Sequence, residues 1–159
     1  MSTQANAVAV KPNPNWVDVV HESLHEVCDM MLGMKVTKVD TLEVVPDVTA
    51  IVGLAGSLCG LFSIRCSRAT AAKLAGKMLG TEVGEEDPEV LDALGEVCNM
   101  VAGSFKSKIP GAAELCLLSV PTTIDGADYR VHPLRGGQCY ELFSQCDSAP
   151  VHIVLHVHQ

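Results

Sequence analysis

The chain has 159 residues, which is enough for one domain with a substantial core and too few for two ordinary domains. Its net charge of −8 at pH 7 argues against nucleic acid or an anionic membrane as a partner. No apolar run approaches the roughly 18 residues that a membrane span needs, and the first residues, MSTQANAVAVKPNPN, lack the pattern of a signal peptide. We therefore expect a cytoplasmic protein.

The hydrophobic residues make up 48% of the chain but the aromatic residues only 4%, so we expect an aliphatic core. The cysteines are odd in number, form no C-x-x-C pair and mostly lie in apolar runs. This usage predicts reduced thiols that act as small hydrophobes, rather than a disulfide framework or a zinc site. The cysteines are Cys28, Cys59, Cys66, Cys98, Cys116, Cys139 and Cys146.

We predict a flexible N-terminal segment over 1–12, in which 8–11 could add a short strand, and one domain over 13–159. Capping residues followed by proline, at Asn13 and Asp87, predict long helices over about 15–32 and 88–108, and a shorter helix covers about 68–79. Apolar and β-branched runs predict strands at about 35–46, 48–55, 58–66, 114–123, 127–132, 138–146 and 151–158, the last three joined by turns at 135–137 and 148–150. The predicted fold class is α+β: two long helices packed on one face of an antiparallel β-sheet, in a single-domain two-layer sandwich.

The most informative segment is GEVCNMVAG (95–103), inside the second long helix. On a helix with about 100° per residue, an apolar side is separated from a side that carries Asp92, Glu96, Asn99 and Gly103. Glu96 and Asn99 are three residues apart, so their side chains are neighbours on the exposed face. Gly95 and Gly103 flank the pair and cost roughly 1 kcal/mol each relative to alanine, so we expect them to make room for another surface. A solvated helix face with incidental glycines is the alternative. The apolar side is formed by Val90, Leu94, Val97, Cys98, Val101 and Phe105.

A similar segment occurs upstream: HEVCDMMLG (25–33) places Glu26 and Asp29 where Glu96 and Asn99 stand. The chain after each helix also matches, as LEVVP (42–46) and LLSVP (117–121). These matches in order predict pseudo-duplicated halves, each a helix followed by a strand. Chance similarity between two amphipathic helices is the alternative.

Histidine patterns offer two metal-site hypotheses. The segment HESLH (21–25) fits the H-E-x-x-H pattern of zinc peptidases, but no third ligand follows at a suitable spacing. We interpret His21 and His25 as border residues of the apolar helix face. On the last predicted strand, His152, His156 and His158 alternate and could share one face, for which a solvated face is the favoured interpretation. The chain contains neither a G-x-S-x-G elbow nor a phosphate loop.

Residues 92–109, DALGEVCNMVAGSFKSKI, resemble the active-site helix of the CheC/CheX/FliY family of chemotaxis phosphatases. The family signature is Glu-x-x-Asn followed by a glycine and a lysine, which here are Glu96, Asn99, Gly103 and Lys106. The segment LLSVPTTIDG (117–126) resembles the Ser-x-Pro strand that follows in the family. One intact motif and an upstream helix without it are typical of the CheX branch.

The resemblance implies a phosphatase that acts on the aspartyl phosphate of a CheY-type response regulator. Asn99 would hold the attacking water, because an amide accepts a hydrogen bond without adding negative charge beside the phosphoryl group. Glu96 would dock the partner through a lysine near its phosphorylation site, and Asp92, Gly95, Gly103 and Lys106 would contact the same partner. No cofactor is expected in this chain, since the regulator supplies Mg²⁺.

The resemblance further implies a homodimer joined through the sheets. The segments 144–146 and 151–157 carry apolar or thiol side chains and are predicted to supply the pairing edge, leaving the Glu96–Asn99 face exposed. Two departures from the family pattern are Phe105, where a small residue is usual, and Asp29, which is closer to the motif residue than in many relatives. Because Asp29 would bring a charge toward a phosphoryl group, the first copy is expected to be a relic or a structural helix. The alternatives are a flagellar-switch-like module that binds the regulator without hydrolysis, and a zinc peptidase.

Overall fold

The computed structural model describes residues 9–132 and 136–158. Most of the predicted flexible segment 1–12, the start of the possible strand at 8–11 and the first residue of the predicted turn at 135–137 lie outside these ranges. The helices are α1 (Trp16–Val27), which continues into a wider π-helical turn (Cys28–Leu32), α2 (Arg68–Leu79) and α3 (Glu89–Ser107). The strands are β1 (Val36–Lys38), β2 (Val48–Gly56), β3 (Cys59–Cys66), β4 (Cys116–Leu118), β5 (Thr122–Asp125), β6 (Gln138–Cys146) and β7 (Ala149–His158).

The strands form one antiparallel sheet in the order β1-β6-β7-β3-β2. The outer edge of β2 is shared by two short strands, with β4 paired to residues 54–56 and β5 paired to residues 48–51. Between them, the Ser119 backbone N–H donates to the Gly53 carbonyl at 2.9 Å, so the chain stays close to β2 throughout. The last strand of the chain, β7, therefore lies in the middle of the sheet.

Alternate residues of the long strands point into one hydrophobic core, which the three helices cover from the same side. On β2 these residues are Val48, Ala50, Val52 and Leu54, all 5% exposed or less. An aromatic cluster lies within the aliphatic core, because Phe105 of α3 meets the Trp16 ring at 5.7 Å and the Phe62 ring at 6.1 Å. The antiparallel two-layer α+β arrangement is confirmed.

The helical layer differs from the prediction of two long helices. Only α3 is long, with 19 residues; α1 has 12 α-helical residues before the chain widens into the π-helical turn and stops at Gly33, whose φ is 62°. The third helix, α2, belongs to the same layer, since Ala71 and Leu74 are buried in the core. The cap residues act as expected at α3, where the Asp87 carboxylate accepts from the Glu89 N–H at 3.0 Å.

Three predicted strands were wrong in extent or existence. The predicted strand 35–46 is reduced to β1 on the sheet edge, and LEVVP (42–46) lies in no strand, so the strand half of the proposed duplication is not confirmed. The predicted strand 114–123 is interrupted before Pro121, which has no N–H to donate. Residues 127–132 form no strand, because Tyr129 turns onto the open face of the sheet and bonds to the Thr49 hydroxyl.

Five of the seven cysteines are buried, as expected of small hydrophobic side chains, with Cys59 and Cys139 exposed. Burial raises the pKa of Cys98 to about 12, which keeps this thiol protonated and unreactive.

No helix among the described residues combines the length and the apolar character needed to cross a membrane.

Candidate functional site

Helix α3 presents Glu96 and Asn99 on its outer face. Its apolar side is completely buried, from Val90 through Val97 to Phe105, each 1% exposed or less. Helical periodicity then turns Glu96 fully outward, while Asn99 is half-buried at the border of the exposed face. Neither side chain has a hydrogen-bond partner among residues 9–132 and 136–158. The carboxylate and the carboxamide are therefore both available to a partner molecule.

Gly95 brings a neighbouring segment of the same chain close to this pair. It is buried, and a Cβ atom placed on it would lie 3.3 Å from Cβ of Pro121 and 3.6 Å from Cγ2 of Thr123. At Gly103 the corresponding distance is 3.8 Å, to Cδ1 of Leu118. The surface that packs against the two glycines is thus residues 116–125 of the same chain, which we call the β4–β5 segment. The sequence instead predicts that both glycines contact a partner.

A groove of about 370 Å³ runs between α3 and the β4–β5 segment. Asp92 and Glu96 line one side, and Val120 and Pro121 line the other. Val120 is 85% exposed and the nearby Leu117 is 69% exposed, which is unusual for apolar side chains. The groove therefore has an acidic side and an apolar side, a combination that suits the docking of another protein. Sequence reasoning missed Val120 and Leu117, because their neighbours in the strand pattern gave no sign that both side chains face solvent.

Lys106 connects the last turns of α3 to the sheet. Its ammonium donates to the backbone carbonyl of Cys116 at 2.6 Å, and the side chain is half-buried. The structure therefore gives this residue a contact within the chain, beside the partner contact that the sequence predicted.

The upstream Glu26–Asp29 pair has a different environment. The Glu26 carboxylate forms an ion pair with Lys108 and accepts a hydrogen bond from the Ser104 hydroxyl at 3.0 Å. The Lys108 ammonium, followed by the Ser104 hydroxyl, lowers the pKa of the Glu26 carboxyl. Asp29 lies in the π-helical turn, so its spacing from Glu26 is not that of a regular α-helix. Glu26 thus joins α1 to α3, and the two residues do not reproduce the geometry of Glu96 and Asn99.

The histidine patterns lie on α1 and on β7. In HESLH, His21 is half-buried and His25 is exposed. His152, His156 and His158 share the open face of the sheet, opposite the helices. In the described part of the chain, no three His, Cys, Asp or Glu side chains are grouped so that they could hold a metal ion.

The chain is similar to a known protein family and to a characterised relative. The family model described as "Chemotaxis phosphatase CheX" matches residues 48–144. The chain is 26% identical over 121 residues to the CheY-P phosphatase CheX of Thermotoga maritima, covering 72% of this chain and 78% of that protein.

Two solved structures share the fold. The chemotaxis protein CheX from Vibrio vulnificus superposes with a TM-score of 0.78 at 20% identity, covering 93% of this chain and 99% of that one. CheX in a CheX–CheY–BeF3–Mg²⁺ complex from Borrelia burgdorferi gives a TM-score of 0.74 at 21% identity, covering 92% of this chain and 100% of that one.

Proposed function

This chain belongs to the chemotaxis phosphatase CheX family, and we propose that it hydrolyses the aspartyl phosphate of a CheY-like response regulator. The observation that carries the proposal is the Glu96–Asn99 pair, side by side on the outer face of α3 and unengaged within the described chain. Two comparisons support it: the Thermotoga maritima relative is named a CheY-P phosphatase, and the Borrelia burgdorferi CheX is complexed with CheY.

Asn99 is proposed to orient the attacking water. An acyl phosphate is intrinsically reactive, so the missing component is a water held in line with the phosphorus atom. The carboxamide oxygen accepts a hydrogen bond from that water, and the amide N–H donates to a neighbouring oxygen. Its half-buried position at the edge of the exposed face limits its motion, which favours a fixed water geometry.

Glu96 is proposed to dock the regulator, by pairing with a lysine near the phosphorylation site. It lies one turn from Asn99 and is exposed, so a cation on the partner reaches it without rearrangement. Asp92 adds negative charge on the same side of the groove, and Val120 adds apolar contact on the other. Gly103 has no side chain, so the partner can approach α3 closely there. Lys106 is proposed to contact the partner near the C-terminal end of the helix.

Mg²⁺ is proposed to come from the regulator. The Borrelia burgdorferi complex contains Mg²⁺ together with CheY, and the reacting phosphoryl group belongs to the regulator. This chain then supplies the amide and the docking carboxylate, and the ion neutralises the charge on the phosphoryl oxygens.

We also propose a homodimer that leaves both Glu96–Asn99 faces free. The predicted pairing edge was wrong, because β7 lies between β6 and β3, and β1 covers residues 144–146 of β6. Among residues 9–132 and 136–158, the open edges of the sheet are the outer side of β1, the adjoining residues 138–142 of β6 and the outer side of the β4–β5 segment. Since the β4–β5 segment borders the groove, pairing there would crowd the site, and we propose the β1 edge instead.

The decay of a phosphorylated receiver domain, with and without this protein, tests the phosphatase proposal directly. Asn99→Ala is expected to lose about two orders of magnitude in rate, the scale of removing one positioned polar group from a site. Its affinity for a BeF3-activated receiver should stay near that of the wild type, whereas Glu96→Ala should lower both affinity and rate.

Near-normal hydrolysis by Asn99→Ala would overturn the assigned role of the amide. Receiver binding that depends on Glu96, without acceleration of decay by the wild type, would instead identify a non-catalytic binding module.

A further inference from the structure

The open face of the sheet, opposite the helices, carries an ordered set of polar side chains. The strand register places Thr49, Arg65, His152 and Phe143 in one row across β2, β3, β7 and β6. The next row contains Ser63, Val154 and Glu141, and the row after it contains His156. Because side chains alternate between the two faces of a strand, all of these point away from the core.

A cavity of about 350 Å³ lies over these rows. Ser63 and Val154 form its floor, since they are the smaller side chains between the Arg65–His152 row and His156. Residues 129–132 cross above and close part of the opening. Tyr129 holds this segment in place by bonding to Thr49 and by lying under the Arg65 guanidinium, 5.4 Å from the ring centre. The cavity is thus bounded by the sheet below, by the Arg65–His152 row and His156 at its sides, and by residues 129–132 above.

Polar atoms in this cavity are buried without partners. Arg65 forms no ion pair with the described residues, and its Nε atom is buried with no hydrogen bond. His152 is 8% exposed, and its Nε2 atom, although 3.4 Å from the Glu141 carboxylate, lacks hydrogen-bond geometry. A buried donor without a partner is unfavourable, so the Arg65 and His152 nitrogens are positioned for a molecule that binds there.

The charges of the cavity favour an anion. Arg65 and Arg130 line it, against Glu141 as the sole carboxylate among the described lining residues. Burial lowers the pKa of His152 and of His156, so both imidazoles are neutral at pH 7 and can donate N–H bonds without adding charge. Phe143 stacks on His152 at 4.3 Å and keeps that ring fixed in orientation.

We propose that this cavity binds a small oxyanion, either a carboxylate or a phosphate group, with Arg65 as its principal cation. The site lies on the sheet face opposite α3, so it is separate from Glu96 and Asn99 and from the chemistry proposed for them. The guanidinium supplies a charged donor with the planar geometry that oxyanions accept. Glu141 repels a bound anion, so its charge lowers the affinity of the site for an oxyanion.

Titration calorimetry with inorganic phosphate and with succinate tests the proposal and separates the two ligand types. Arg65→Gln is expected to weaken binding of the preferred probe by about tenfold or more, as for loss of a charge-assisted hydrogen bond. Arg65→Lys should restore part of the affinity, and Glu141→Gln should increase it by removing repulsion. Lys73→Gln, which removes one positive charge from the exposed side of α2, is the control for net charge and should bind as the wild type does.

Thermal unfolding of each variant shows whether it is folded, and Asn99→Ala should retain the oxyanion affinity even if the phosphatase proposal fails. Absence of saturable binding of both probes to the wild type would overturn the proposal. So would equal weakening by Lys73→Gln and Arg65→Gln. A dimer that covers the His152 ring, seen as protection of its ring protons on self-association, would identify the face as a protein interface instead.

Discussion

Gly95 of α3 and Pro121 of the β4–β5 segment are in tight contact, with 3.3 Å between the Pro121 Cβ atom and a Cβ placed on the glycine. This contact brings the sheet edge beside Glu96 and forms one wall of the groove at the proposed docking face. The absence of a side chain at residue 95 is therefore part of how the site is shaped. Gly103, on the same helix, has more space around it, with its nearest neighbour at 3.8 Å.

The two glycines should respond differently to alanine. Gly103→Ala should raise the free energy of unfolding by roughly 0.5–1 kcal/mol, because alanine favours the helix and the space accepts a methyl group. Gly95→Ala should lose that gain, since Pro121 has to move by a few tenths of an ångström. Urea unfolding of both variants checks this, and equal stabilisation by the two substitutions would show that the Pro121 contact is unimportant.

Lys106→Met should lower the free energy of unfolding by about 1–2 kcal/mol, since the Cys116 carbonyl loses a charged donor. Urea unfolding measures the change, and Lys73→Met, on the exposed side of α2, is the matched control. Wild-type stability combined with weaker receiver binding would assign Lys106 to the partner instead of to the fold.

Asp29→Ala should leave the rate of receiver dephosphorylation nearly unchanged. A carboxylate adds negative charge beside a phosphoryl group, and Asp29 lies in a π-helical turn next to an already engaged Glu26. The decay assay used for Asn99→Ala measures this directly. A loss as large as that of Asn99→Ala would demonstrate a second working site.

The protein should become less stable as the pH falls from about 7 towards 5. Burial lowers the pKa values of His21, His152 and His156 below the ordinary histidine value of about 6.5. In that pH range the unfolded chain binds more protons than the folded chain, so the free energy of unfolding decreases with decreasing pH. Urea titrations at both pH values measure this, and His152→Gln should reduce the difference. His132→Gln, at an exposed position outside the helices, controls for removal of a histidine.

Analytical ultracentrifugation at micromolar concentration should give the molar mass of a dimer, and dimer formation should depend on the β1 edge. The Val39 N–H donates to the Phe143 carbonyl on β6, so the N–H of Lys38 points away from the sheet. Lys38→Pro removes that outward donor and should weaken the dimer, whereas Lys38→Ala keeps it and should not. A wild-type monomer, or an interface that covers Asn99, would contradict the proposal.

Local patterns were sufficient where a feature depends on helical periodicity. The apolar side of α3, from Val90 to Phe105, is buried as its spacing predicted, and Glu96 faces outward. The span predicted for α2 matches Arg68–Leu79. The motif on α3 was also enough to identify the family, which the match over residues 48–144 confirms. A helix face is set by residues three and four apart, so it can be read from neighbouring positions in the chain.

Strand neighbours and close contacts were decided by the tertiary structure. Alternation along β7 indicates a strand but does not say that β6 and β3 flank it, and this position removed the predicted pairing edge. The contact of Gly95 with Pro121, the Lys106 bond to Cys116 and the crossing of Tyr129 over the sheet join residues of different segments. The sequence by itself determined the helices, the long strands and the outer helix face that carries Glu96 and Asn99. Only the folded chain decided what surrounds that pair, because packing between distant segments has no periodic signature in the sequence.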